Sequence, residues 1–479
     1  MTKIAIIGAG GQVFPLRLIA DILCQPACQN AHFALMDIDP ITLQRTELAA
    51  RALIAHHGLP ASVSAGTDQR AALRDAKYVL VTFQVGGLRA YLDDLEIPRR
   101  HGVDQAVGDT LGPGGVMRFL RTSKALNVIA DDMLELCPQA LVINYANPMA
   151  MNCWYLSSLG IKTVGLCHSI QNTTHMLAKH LEIPYQEIHY KSAGINHQAW
   201  LLEFKRGDQD LMPAIREIMR REHLERTELR EMVADTGDHS EHKREWTVYE
   251  GGQEQVRTWL MEAFGFFHTE SSHHASEYVP WFRKNTRQVL QFIPERWDIY
   301  AICEAHNDED QARLLEKLKA KLEASLEYGA RIIQAIESGE PCVIYGNVPN
   351  HHLIDNLPFG CCVEVPCLVD KNGVQPTRIG KLPLQLAALN RTNINVQELA
   401  VEAALTGNRD HVFHAIALDP LTGALLTLEQ IRKMTNDLLH AEREWLPDAL
   451  RLPERESLAS DDSSSEKIHD SSLEPVSMT

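Results

Sequence analysis

The sequence has no apolar run approaching the ~20 residues that a membrane-crossing helix needs, which excludes an integral helical membrane protein. It is short of basic residues: 46 Lys and Arg against 63 Asp and Glu leave a formal net charge of −17. Such a surface repels a phosphate backbone, so a nucleic-acid partner is not expected. The N-terminus, MTKIAIIGAGG, lacks the small-residue cleavage site that follows the apolar stretch of a secretory signal. The ten cysteines include no CxxC pair and no disulfide-dense spacing; only Cys361 and Cys362 are adjacent. Free thiols in a reducing compartment follow, and the expectation is a soluble, cytoplasmic protein. Apolar residues, by contrast, are plentiful. At 45% of 479 residues they can build sizeable cores, in about three units of ~150 residues or two large ones.

The clearest local pattern is at the start. Lys3-Ile4-Ala5-Ile6-Ile7 is a short β-branched run broken by Gly8-Ala9-Gly10-Gly11. A helical pattern follows through Phe14, Leu16, Leu18, Ile19, Ile22 and Leu23, then a second apolar run, His32 to Met36, ending in Asp37. Strand, glycine turn, helix, strand and acid make one βαβ mononucleotide-binding unit. Further strands are expected over 78–83, 140–145 and 163–166, and their alternation with helical stretches predicts an α/β fold with a Rossmann-like, doubly wound parallel sheet. Residues 187–204 read as a strand-like segment, 208–340 as mostly helical, 341–370 as short strands and 380–450 as helices. The polar stretch 220–245 reads as a solvated helix or insertion, and the Ser-, Asp- and Glu-rich end as a disordered tail. This gives a dinucleotide-binding domain over 1–190, a mainly helical α+β domain for substrate, metal and oligomer contacts over 191–453, and an acidic tail over 454–479.

In the glycine turn, Gly8 permits the bend, while Gly10 and Gly11 let the backbone approach a pyrophosphate at the helix N-terminus. The usual third glycine is replaced by Val13. Asp37 is placed to hold ribose hydroxyls, which favours NAD over NADP; Asp39 is its rival. Cys167 and His197 end two consecutive strand-like segments and could meet over one cation, though a buried inert thiol and a core histidine fit the same residues.

Beyond these patterns, the chain resembles the NAD-dependent glycoside hydrolases of family 4, and within them the α-galactosidases of bacterial melibiose use. The stretches that carry the resemblance are ALMDIDP from Ala34, GDTLGPGGVMRFLRT from Gly108, NYANPMAMN from Asn144, VGLCHS from Val164, AGINH from Ala193 and TESSHHASEYVPWF from Thr269. VIYGNVPN, LIDNLPFGCCVEVPCLVD and TNINVQ continue it, so that it spans residue 3 to about 450. The resemblance implies cleavage without a pair of flanking carboxylates. On that resemblance, hydride is expected to pass from sugar C3 to NAD⁺, a base to remove the C2 proton, the C1 substituent to be eliminated, water to add and the hydride to return. A divalent metal, usually Mn²⁺, is expected to serve as a Lewis acid.

Residue by residue, the resemblance implies Cys167 and His197 as metal ligands, Asn147 as a substrate contact, Tyr278 as the C2 base and Asp109 as the acid that assists it. Two positions depart from the family's phospho-sugar pattern or from its melibiose enzyme. His168 stands where phospho-sugar members carry an acidic group for the leaving oxygen, and is taken as the proton donor or a hydroxyl contact. His273 replaces an acid of the melibiose enzyme, a change that could favour an acidic sugar. The expected activity is therefore NAD- and Mn²⁺-dependent hydrolysis of a small-molecule α-galactoside by a homo-oligomer. An α-glucuronidase or α-galacturonidase shares the same machinery. A plain dehydrogenase would not need the cysteine, and an inert NAD sensor would bind the cofactor without turnover.

Overall fold

The computed structural model describes residues 1–221, 254–293, 299–305 and 308–453. The tail 454–479 and all but the first two residues of the polar stretch 220–245 lie outside the described residues. Six strands open the fold: β1 (Lys3–Ile7), β2 (His32–Met36), β3 (Ser62–Gly66), β4 (Tyr78–Val81), β5 (Leu141–Asn144) and β6 (Thr163–Gly165). They pair in parallel in the order β3-β2-β1-β4-β5-β6, the doubly wound arrangement expected. Alternate residues of one strand serve different cores. Ile4 and Ile6 face one side and Ala5 and Ile7 the other, which is why the run is apolar throughout. Helices Phe14–Leu23 and Tyr328–Ser338 cover the first face, and Gly112–Leu136, Leu384–Thr406 and Leu428–Ala441 the second.

Antiparallel strands continue the sheet past β6. They are β7 (Ile188–Ile195), β8 (Gln198–Arg206), the two-residue β9 (Gln209–Asp210) and β10 (Phe267–His268), then β11 (Cys342–Pro349), β12 (Cys362–Asp370) and β13 (Gly373–Pro376). The boundary expected at 190/191 falls within β7. One row of register partners joins the two parts: Gly165 to Asn347, Asn347 to Glu364, Glu364 to Gly194. Gly165 must be glycine there, since a Cβ would lie 2.5 Å from Met149 Sδ and 2.6 Å from Cys153 Sγ.

The segment 187–204 is not one strand. It is the hairpin β7–β8, reversed at Asn196-His197, with His197 in the left-handed region at φ 59°. The cysteines of the described residues are all free, as expected, and among those residues no helix is long and apolar enough to cross a membrane.

Candidate active site

The parallel sheet reverses its winding direction between β1 and β4, and a cavity of about 780 Å³ opens above that point. Gly8 and Gly11 line it with Asp37, Ile38, Thr82 and Phe83. Gly8 has φ +92°, and a Cβ there would fall 2.6 Å from the Phe83 nitrogen. A Cβ on Gly10 would fall 2.4 Å from Thr42 Oγ1, and the Gly10 N–H donates to Asp37 Oδ2 at 2.8 Å. Helix Phe14–Leu23 starts at Val13 without any side-chain cap, so its first N–H groups are left for another acceptor. Asp39 lines the cavity too, and its Oδ1 accepts from the Ile41 N–H at 2.9 Å, capping helix Pro40–His56. Asp37 Oδ1 in turn accepts from the Asp39 N–H at 3.1 Å, and both acids line the cavity.

Beyond the carboxyl ends of β5 and β6 and the β7–β8 turn, the remaining candidates converge. One donor atom each from Cys167, His197 and Glu270 lie within 4.8 Å of one another. Cys167 directly follows β6 and Leu166; its Sγ donates to Ser169 Oγ at 3.4 Å. Burial pushes this thiol up to about 12, so it holds its proton until a cation displaces it. The left-handed turn directs the His197 ring inward. Its Nδ1 lies 3.0 Å from Thr110 Oγ1 and 3.2 Å from the Tyr278 hydroxyl. Its Nε2 is 3.6 Å from Glu270 Oε2, longer than a hydrogen bond, and is the nitrogen left for a ligand. Burial alone would raise the Glu270 carboxyl. His274, His197 and the Ser271 N–H at 2.8 Å outweigh it and hold the group at about 2, fully ionised.

A second cluster adjoins the first. Donor atoms of Asp109, His197 and His274 also lie within 4.8 Å of one another. The Tyr278 hydroxyl bridges two of them, at 2.8 Å from His274 Nδ1 and 3.2 Å from His197 Nδ1. Burial, then the carboxylates of Asp109, Glu277 and Glu270, lift that phenol well above its usual value. Asp109 accepts from Thr110 Oγ1 at 2.7 Å and from Asn147 Nδ2 at 2.9 Å. Burial opposes its ionisation, but Arg118, His274 and His197 prevail and keep it below the ordinary carboxylate range. Its loop is fixed from behind by Glu277, which accepts from the N–H groups of Ala106, Val107 and Gly108 at 2.6–3.0 Å.

Tyr278, Asp109, Asn147, Cys167 and His197 are thus brought together. His168 belongs to neither cluster. Its ring is more than half exposed and turns to Glu327, with Nδ1 3.5 Å from Oε1. That carboxylate favours the imidazolium, an effect solvent weakens at such exposure. Sequence reasoning missed Glu270, His274, Thr110 and Glu277 as working residues. Glu270, His274 and Tyr278 recur every four residues, although only His274 lies within the short helix Ser272–Ala275.

Comparison with known proteins shows the family. The family model "Family 4 glycosyl hydrolase" matches residues 3–183, and "Family 4 glycosyl hydrolase C-terminal domain" matches 192–422. An α-galactosidase of Bacillus subtilis is 39% identical over 94% of this chain and 100% of its own length. An α-galactosidase of Rhizobium meliloti is 34% identical over 93% and 89%. Among solved structures, a 6-phospho-α-glucosidase from gut microorganisms in complex with NAD and Mn²⁺ superposes with a TM-score of 0.75. It covers 93% of this chain and 99% of its own at 18% identity, a likeness of fold. The chain belongs to family 4 of the glycosyl hydrolases.

Proposed function

We propose that this family 4 glycosidase is an α-galactosidase that works with NAD and a divalent cation such as Mn²⁺. The observation that carries this reading is the Cys167–His197–Glu270 cluster, one shared imidazole away from the Tyr278 phenol. Both curated relatives described above are α-galactosidases, which supports the sugar.

The residues fit both groups. Glycines at 8 and 10, where any Cβ would collide, and an acid at the cavity edge suit a dinucleotide. Thiolate, imidazole and carboxylate together carry two negative charges, matching a dication. Sulfur alone would favour a softer metal, and the oxygen of Glu270 shifts the set toward Mn²⁺. When bound, NAD supplies a reversible hydride acceptor and the cation a Lewis acid.

The protein's own groups do the rest. Asn147 and Asp109, bonded to each other, present an amide and an ionised carboxylate to sugar hydroxyls. Tyr278 removes the C2 proton. A buried phenol is a weak base unless its own proton can leave; His274 in its neutral form, with Nδ1 at 2.8 Å, is in place to accept it and becomes the imidazolium that pairs with Glu270 and Asp109. His168, kept protonated beside Glu327 at the exposed edge, donates to the departing oxygen. A uronide is the second reading, suggested by His273, which is buried and directly precedes His274 of the cluster, where the resemblance expects an acid.

A panel of nitrophenyl α-galactoside, α-glucoside, α-glucuronide and α-galacturonide, each with and without NAD⁺, Mn²⁺ and thiol, tests this. The α-galactoside should be cut fastest and only with all additions. Faster cleavage of a uronide would establish the second reading. Hydrolysis that survives removal of bound NAD⁺ would overturn both.

A further inference from the structure

We propose that Trp445, from the C-terminal end of the described chain, is the aromatic wall against which the adenine of NAD stacks. The inference rests on the reading of the large cavity as the dinucleotide site. Trp445 lines that cavity together with Ile38, and the two approach from opposite sides: Ile38 follows β2, Trp445 packs on the residues after β4, and β1 with its glycine turn lies between.

Three contacts hold the indole in place before any ligand arrives. A Cβ on Gly86 would lie 3.2 Å from Trp445 Cδ2, so the ring lies nearly on the backbone of residue 86. The Arg89 guanidinium is 5.3 Å from the ring centre and pairs with Glu444 at 3.1 Å. Three residues before the indole, the fully buried Glu442 is bound by Arg121 at 2.6 Å. Arg121 also donates to the Val85 carbonyl at 2.9 Å, which ties the Trp445 segment to the cavity rim. A buried ion pair is a weak source of stability but a good device for fixing register. Ile38 lines the same cavity from the β2 side and, at 87% exposure, offers its apolar side chain to whatever enters it. An apolar slot between an indole and an isoleucine suits the base of a nucleotide, which stacks without regard to hydrogen-bond pattern.

Calorimetric titration of the full-length protein with NAD⁺ and separately with AMP tests the assignment. Trp445→Ala should weaken both ligands by the same factor, about tenfold, the scale on which loss of one base–aromatic stack is felt. Trp445→Phe should recover most of that affinity. Ile38→Ser, at a position too exposed to affect folding, should cost about threefold with both ligands. Equal AMP affinity in parent and Trp445→Ala overturns the assignment. So does a Trp445→Phe variant as weak as Trp445→Ala together with an unaffected Ile38→Ser, since the indole would then be only a structural support. A parent protein that binds neither NAD⁺ nor AMP would instead defeat the dinucleotide reading itself.

Discussion

The two halves of the site are built on opposite plans. The proposed cofactor cavity is a hollow: glycine backbone, apolar walls, the carboxylates of Asp37 and Asp39 and helix N–H groups left without a cap. The cluster around His197 is dense, and its ring nitrogens face named partners on both sides, Thr110 and Tyr278 at Nδ1 and Glu270 at Nε2. A dinucleotide brings its own charges and hydrogen-bonding groups, so the protein needs chiefly to leave room and avoid side chains. A cation brings charge alone, so the protein must gather anions in advance and prevent them from repelling one another. The histidines around Glu270 perform that second task.

If this contrast is right, the two regions should respond separately to substitution. The largest effect is expected from Cys167→Ser, which should cut Mn²⁺-dependent turnover by about 10³-fold or more while NAD⁺ affinity, measured calorimetrically, stays within about twofold. Loss of both together would mean the regions are not independent. Glu270→Gln should lower Mn²⁺ affinity by about 10–100-fold, read from the electron paramagnetic resonance signal of free Mn²⁺, because one anion of the set becomes neutral. On the cofactor side, Asp37→Ala should weaken NAD⁺ by about tenfold and narrow its advantage over NADP⁺, whose 2′-phosphate no longer meets a carboxylate. An unchanged ratio would exclude Asp37 from the ribose.

The smallest effect concerns stability. Burial raises the Glu364 carboxyl to about 7, and one of its oxygens has no hydrogen-bond partner. The unfolded chain gives up that proton near the ordinary glutamate value of ~4.3, while the folded protein keeps it until about 7. Stability therefore falls as pH rises through this window and stays lower above it. Glu364→Gln, which does not titrate, should gain thermal stability relative to the metal-free parent between pH 5 and pH 8. Parallel melting curves across that range would show that Glu364 is not the group responsible.

The parallel half of the fold was readable because most of its strands are buried on both faces and so appear as unbroken apolar runs. β3, with the small and polar residues Ser-Val-Ser-Ala-Gly, carries no such run and was not visible. The β7–β8 reversal was hidden for a different reason: its left-handed residue is His197, where glycine or asparagine is usual, so no turn signal stands out. Cys167, His197, Asn147, Asp109 and Tyr278 came from motif resemblance, and spacing alone would have left the first two ambiguous. Asp37 and Asp39 both line the cavity, and what distinguishes them, the helix cap made by the second, shows only in the structure. His274 lies in the short helix Ser272–Ala275 and Glu270 just before its cap, a placement whose meaning depends on knowing Tyr278 first. Trp445 was beyond reach, since Gly86, the residue it rests on, is hundreds of positions away in the chain.

The central claim is that the glycosidic bond breaks only after Tyr278 has taken the proton from sugar C2. Hydrolysis of an unlabelled α-galactoside in D₂O, followed by measurement of isotope at C2 of the released galactose, tests it most directly. The account predicts deuterium at C2 in the product, with Tyr278→Phe suppressing both incorporation and turnover. Galactose released at full rate with only hydrogen at C2 would contradict it.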